Sequence, residues 1–264
     1  TYTGNTWING GNLIVQGGAA LLDTGIVTLA ASGATLTIGT SETIGSLQGG
    51  GTTAITANQT LTIAQTGNAT YGGSITGAGA LTKNGSGALT LSGTNSYLGN
   101  TTINSGNLLL QGGYALLDTG IVTLNSPSAT LTIGTSETIG SLQGVGTTAI
   151  NAEQTLTIAQ TGSTTYSGPI VSAGALALAG NGTLTLSGNS TFSGGTILQT
   201  GTLVLAGVNA AGSGRIEQNA LAGSSLLQFG TTGTITNNMT VLNLLATQNA
   251  TLTGGILLGG DAVI

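Results

Sequence analysis

The sequence predicts an all-β fold: a parallel β-helix of about eleven coils, each with three short strands. Three observations carry this expectation. A long internal repeat spans most of the chain, a shorter period is nested inside it, and the composition suits stacked strands.

The long repeat is 95 residues. Leu21 to Leu29 recurs unchanged at Leu116 to Leu124, and Ala34 to Gly49 recurs at Ala129 to Gly144. Of the first 95 positions, 68 are identical in the second copy. A third, divergent copy begins at Thr191 and fades after Gly207. The domain reading is one β-helix over 1–264, with super-repeats 1–95, 96–190 and 191–264.

Within each unit, short runs alternate apolar residues with Thr: Leu36-Thr37-Ile38, Leu61-Thr62-Ile63 and Leu89-Thr90-Leu91. A period of two is the signature of a strand with one face buried. Gly, Asn and Ser punctuate the runs and supply turns. Successive runs lie about 24 residues apart, which predicts four coils per unit. Propeller blades need longer repeats, and the consensus of leucine-rich repeats is absent. Leu36, Ile38, Leu61, Ile63, Leu89, Leu91 and their partners 95 residues on should form the buried ladders.

The composition excludes several function classes. Nine residues are charged: Lys83 and Arg215 against Asp23, Glu42, Asp118, Glu137, Glu153, Glu217 and Asp261. The chain has no His and no Cys, so a Ser-His-Asp triad, a Cys nucleophile, an ordinary zinc site and a disulfide are all impossible. Two basic residues cannot neutralise a phosphate backbone, so nucleic acid is not an expected partner. No apolar run approaches the length of a spanning helix. No cofactor and no metal is expected.

The stretch Gly77 to Leu108 resembles the autotransporter-associated β-strand repeat, also called the passenger-associated transport repeat. Its Lys, Tyr and Gly positions are filled by Lys83, Tyr97 and Gly99. A second copy runs from Ala173 to Leu203, with Leu178 for the Lys and Phe192 for the Tyr. Tyr2 to Leu13 is the second half of another. The resemblance implies a right-handed β-helix in the passenger of a Gram-negative autotransporter. Such a passenger is exported through an outer-membrane β-barrel of the same full-length protein and reaches the cell surface or the extracellular space. The resemblance also implies that the repeat assists passenger folding and secretion.

Candidate site residues are few. The acids are scattered and read as solvated loop residues, with Asp23 and Glu42 the nearest to a pair. Arg215 and Glu217 read as a surface pair, and Lys83 as structural. An aromatic-x-Gly pattern recurs at Tyr2, Tyr71, Tyr97, Tyr166 and Phe192. Tyr71, Tyr97 and Tyr166 could form an aromatic contact surface for sugars, or each ring could pack at a corner over its Gly. Trp7 becomes Thr102 in the next copy and stands outside the logic of the repeat.

The expected function is a non-catalytic passenger rod, either adhesin or stalk, whose partner is a host-cell glycan or protein or another copy of itself. A secreted effector that binds a host receptor, or a glycan-active enzyme, is the alternative. The chain begins in mid-repeat, which suggests a fragment of a longer protein and predicts head-to-tail stacking through open strand edges.

Overall fold

The computed structural model describes residues 3–219, 225–231, 233–246 and 250–263. Thr1, Tyr2 and Ile264 lie outside them; the rest of Thr1 to Val15 and of Gly254 to Ile264, the end segments on which the stacking expectation rests, is described. Among the described residues there are 32 strands and no helix. Every strand pairing is parallel, as in a β-helix, with each strand bonded to its counterparts one turn before and one turn after.

Three faces make up each turn. The first begins Gly11–Val15, Ala34–Ile38, Thr52–Ile55, Ser74–Gly77. The second includes Glu42–Ile44, Thr60–Ala64, Ala80–Asn84, Thr101–Ile103. The third includes Thr6–Ile8, Ile26–Leu29, Ser46–Gly49, Ala69–Tyr71, Ala88–Leu91, Gly106–Leu110. The chain visits them in the order first, second, third and completes about twelve turns.

The coils are shorter than the sequence period suggests. One turn takes 17 residues where Leu36 pairs Thr53, and 24 where Gly201 pairs Ser225. The runs chosen to measure the period do not form one ladder. Leu13 stacks on Leu36 on the first face, Leu61 stacks on Leu81 on the second, and Leu89 on Leu108 and Leu131 on the third. From Thr6–Ile8 to its equivalent Thr101–Ile103 the chain passes twelve strands and two irregular face segments. These fourteen positions, at three per turn, make four and two-thirds turns rather than four. Each super-repeat therefore falls one face short of a whole number of turns: Leu13 is on the first face and Leu108 on the third, Leu89 is on the third and Leu184 on the second.

The core lies inside the coil. Leu36, Ile38, Leu61, Ile63, Leu89 and Leu91, with Leu131, Ile133, Leu156, Ile158, Leu184 and Leu186, are all buried. Burial of each large side chain contributes roughly 1.5–3 kcal/mol. Thr side chains in the middle of the Leu-Thr-Ile and Leu-Thr-Leu runs, such as Thr37, Thr62 and Thr90, point outward, where identical neighbours stack at about 4.8 Å without charge repulsion. Corners need glycine for lack of room. A Cβ on Gly73 would sit 1.9 Å from the Gly51 carbonyl oxygen, and one on Gly93 2.0 Å from that of Gly73.

Candidate ligand-binding surface

The aromatic contact surface expected of Tyr71, Tyr97 and Tyr166 is not on the outside. All three rings are inside the coil, as is Phe192. The Tyr71 hydroxyl donates to Gly51 O at 2.7 Å and lies 2.9 Å from Thr53 Oγ1. Tyr166 repeats this on Gly146 O at 2.6 Å and Thr148 at 2.8 Å. The glycine two residues on is explained by the same geometry, since a Cβ on Gly73 would lie 2.8 Å from the Tyr71 hydroxyl. Burial pushes the Tyr71 pKa up to about 12, against the opposing hydrogen bond from Thr53, and raises Tyr97 and Tyr166 further.

Lys83 occupies a core position, between Ile63 and Ile103 in the second-face ladder. Its side chain is fully covered, and Nζ donates to Asn84 O at 2.7 Å, Gly85 O at 2.9 Å and Ser105 O at 3.4 Å. Burial lowers its pKa to about 8. Carbonyl dipoles around the ammonium act in the opposite direction. The equivalent Leu178 stacks between Ile158 and Leu198.

Two of the acids are not solvated loop residues. Glu42 and Glu137 are both 2% exposed. Glu42 accepts the Ala20 and Leu21 N–H groups at 3.1 and 2.9 Å; Glu137 accepts those of Ala115 and Leu116 at the same distances. Each carboxylate thus holds an irregular segment that has no strand partner for its amides. Burial raises the Glu137 pKa, the two N–H bonds lower it, and Asp118 nearby raises it. Asp23 is exposed and forms no pair with Glu42. Arg215 and Glu217 do form the expected surface ion pair, at 3.3 Å.

The outer surface carries one column of unusual composition. On the third face Trp7, Thr28, Gln48, Thr70 and Thr90 lie on successive coils. Trp7 is 66% exposed. Gln48 Nε2 donates to Thr28 Oγ1 at 2.9 Å. A shallow depression of about 470 Å³ runs along this column, lined by Thr28, Gln48, Gly49, Asn68, Ala69, Thr70 and Thr90. It continues round the corner into a more enclosed cleft of about 230 Å³ that shares Gln48, Asn68 and Ala69 and adds Ser46 and Gln65. Gln65 is 1% exposed, and its Oε1 has no hydrogen-bond partner. Among the described residues, no group of three potential metal ligands comes together. Trp7 is thus an exposed ring at a position where the second copy has Thr102.

Fold and surface together define a solenoid repeat protein that offers long outward faces. The family model described as passenger-associated-transport-repeat matches residues 1–15, 81–110 and 179–205. Over 76 residues the chain is 42% identical to the "Adhesin BmaC autotransporter" of Brucella suis biovar 1 (strain 1330), a match that covers 27% of this chain and 2% of that relative. No solved structure matches the chain significantly. The chain carries passenger-associated transport repeats and, over those 76 residues, is similar to part of an autotransporter adhesin.

Proposed function

We propose that this chain is a non-catalytic, extracellular passenger rod of a Gram-negative autotransporter, acting as an adhesin or structural stalk and supporting its own passenger's folding and secretion. The observation that carries this reading is that the described residues of the matched repeats lie in parallel coils paired with the coils beside them. The repeat segments are ordinary coils stacked in register with their neighbours, so they extend the rod. Similarity to a protein named as an adhesin supports adhesion. The acids support a non-catalytic role, because glycan-active sites use paired, available carboxylates. Glu42 and Glu137 are each committed to two backbone N–H groups, and Glu217 is paired with Arg215.

The test is surface display. The chain is fused ahead of an autotransporter β-barrel in a non-adherent bacterium, and attachment to host cells is counted. Increased attachment supports adhesion; correct display without attachment leaves only the stalk. Deleting residues 81–110 should lower the amount of protease-resistant passenger at the surface. An unchanged amount would remove the folding and secretion role.

A further inference from the structure

We propose that the third-face groove binds an uncharged oligosaccharide, with Trp7 as its stacking platform and the cleft at Gln65 as its polar end. The proposal deepens the adhesive reading and rests on it for biological meaning. The binding itself is independently measurable.

The lining chemistry selects the ligand. Trp7 is a large exposed aromatic one coil step from Thr28, which lines the groove, and its indole offers a flat apolar face with polar groups beside it. The groove beyond it is lined mainly by hydroxyl, amide and glycine groups, with Ala69 and Ile26 and with no charged side chain among the lining residues. A sugar ring has an apolar face for an indole and hydroxyl edges for Thr, Gln and Asn. A charged glycan or an acidic peptide would find no counter-charge. A peptide cannot add as a strand, because the strands along this face are already paired on both sides. Four coil steps separate Trp7 from Thr90, about 19 Å. That length suits an extended chain better than a single sugar.

The second repeat is an internal control. The same column recurs on the second face as Thr102, Thr123, Gln143, Thr165 and Thr185. Gln143 bonds Thr123 at 2.9 Å, as Gln48 bonds Thr28. Two differences are specific to the first copy. Trp7 replaces Thr102, and it shields its neighbour: Thr28 is buried whereas Thr123 is half-buried. The second difference is at the cleft. Gln160 Oε1 accepts the Ser141 hydroxyl at 3.1 Å, and Thr164 Oγ1, which lies 3.3 Å from it and 3.1 Å from Leu142 O, shares its one proton between the two. In the first copy Ala69 stands in the place of Thr164, and Ser46, the counterpart of Ser141, makes no bond to Gln65 Oε1, so that acceptor has neither hydroxyl. Buried polar atoms are rarely left unpaired, and each exception calls for a ligand, a water or a role. Here a ligand hydroxyl would enter where the Thr hydroxyl is missing. The aromatic platform and the unpaired acceptor thus occur together in one copy and are absent together from the other.

Trp7 is the single Trp of the chain, so its fluorescence reads the groove directly. The chain is titrated with maltotetraose, cellotetraose, chitotetraose and a poly-N-acetyllactosamine tetrasaccharide. At least one should give a saturable shift of Trp emission. Ala69→Thr, which copies Thr164, should retain the melting temperature and weaken that binding at least tenfold. Trp7→Thr should abolish it by calorimetry. Thr102→Trp combined with Thr164→Ala should raise the stoichiometry from one to two. The proposal is overturned if none of the four sugars gives a saturable change up to millimolar concentration, or if affinity is unaltered by Ala69→Thr or Trp7→Thr. Attachment of displayed chain to cells without any sugar response would overturn the groove and leave adhesion standing. A sugar response without attachment would do the reverse.

Discussion

Phe192 leaves the side-chain hydroxyl of Thr196 without a hydrogen-bond partner. One super-repeat earlier the same two positions are Tyr97 and Thr101, whose hydroxyl oxygens lie 2.5 Å apart. Phe192 keeps the ring buried and removes the hydroxyl, so the buried Thr196 Oγ1 is unsatisfied.

Phe192→Tyr should therefore stabilise the chain by about 1 kcal/mol, since a buried unpaired hydroxyl costs about 1–3 kcal/mol. Tyr97→Phe should destabilise it by a similar amount. Urea midpoints of the two variants check this. Opposite shifts are expected; a downward shift for both would mean that the corner around Phe192 has closed too tightly to admit an oxygen.

The Glu137 clasp gives a larger effect. Glu137→Ala leaves the Ala115 and Leu116 N–H groups without their acceptor and should cost about 3 kcal/mol. Hydrogen exchange should rise at Ala115 and Leu116 first and leave Leu131 and Ile133 protected. Uniform exchange throughout would show that the clasp supports the rod globally instead.

Lys83 makes stability depend on pH. Its folded pKa of about 8 lies below the ordinary 10.5, so between these values the unfolded chain holds more protons. Stability should rise with pH across that window, at up to about 1.4 kcal/mol per pH unit. Lys83→Leu, which copies Leu178, should abolish the rise. Denaturation between pH 7.5 and 9.5 tests it, and parallel profiles for the two proteins would contradict it.

Above pH 10 the tyrosines reverse this trend. Tyr71, Tyr97 and Tyr166 keep their protons when folded and lose them when unfolded, so stability falls as pH rises through the unfolded value. Three such groups remove roughly 4 kcal/mol by pH 11. Buried tyrosinate absorbance should appear together with loss of the β-sheet circular dichroism. Ionisation of these rings before unfolding would contradict their burial.

The period-two runs of Leu, Ile and Thr were legible because each shows its buried face locally. Coil length was not. Leu36, Leu61 and Leu89 look alike in sequence although they lie on three different faces, and the loops between them vary enough to imitate a longer period. The burial of Glu42 was hidden as well. An acid is ordinarily solvated, and only the fold reveals that residues near Ala20 present amides with no strand to pair them. Tyr71 and its Gly73 were readable as a packed corner once the ring was allowed to face inward. Trp7 was visible and was discounted, because the repeat was taken as the whole of the design.

The four-and-two-thirds-turn unit gives the rod a compass. Inserting or deleting one 95-residue block lengthens or shortens the molecule and also swings everything beyond it by a third of a revolution. Three blocks must pass before a surface feature points the same way again. Recombination between near-identical units would therefore redirect what the rod shows to its surroundings. It would also keep identical patches on neighbouring units from lining up along one flank, where two rods lying side by side could zip together.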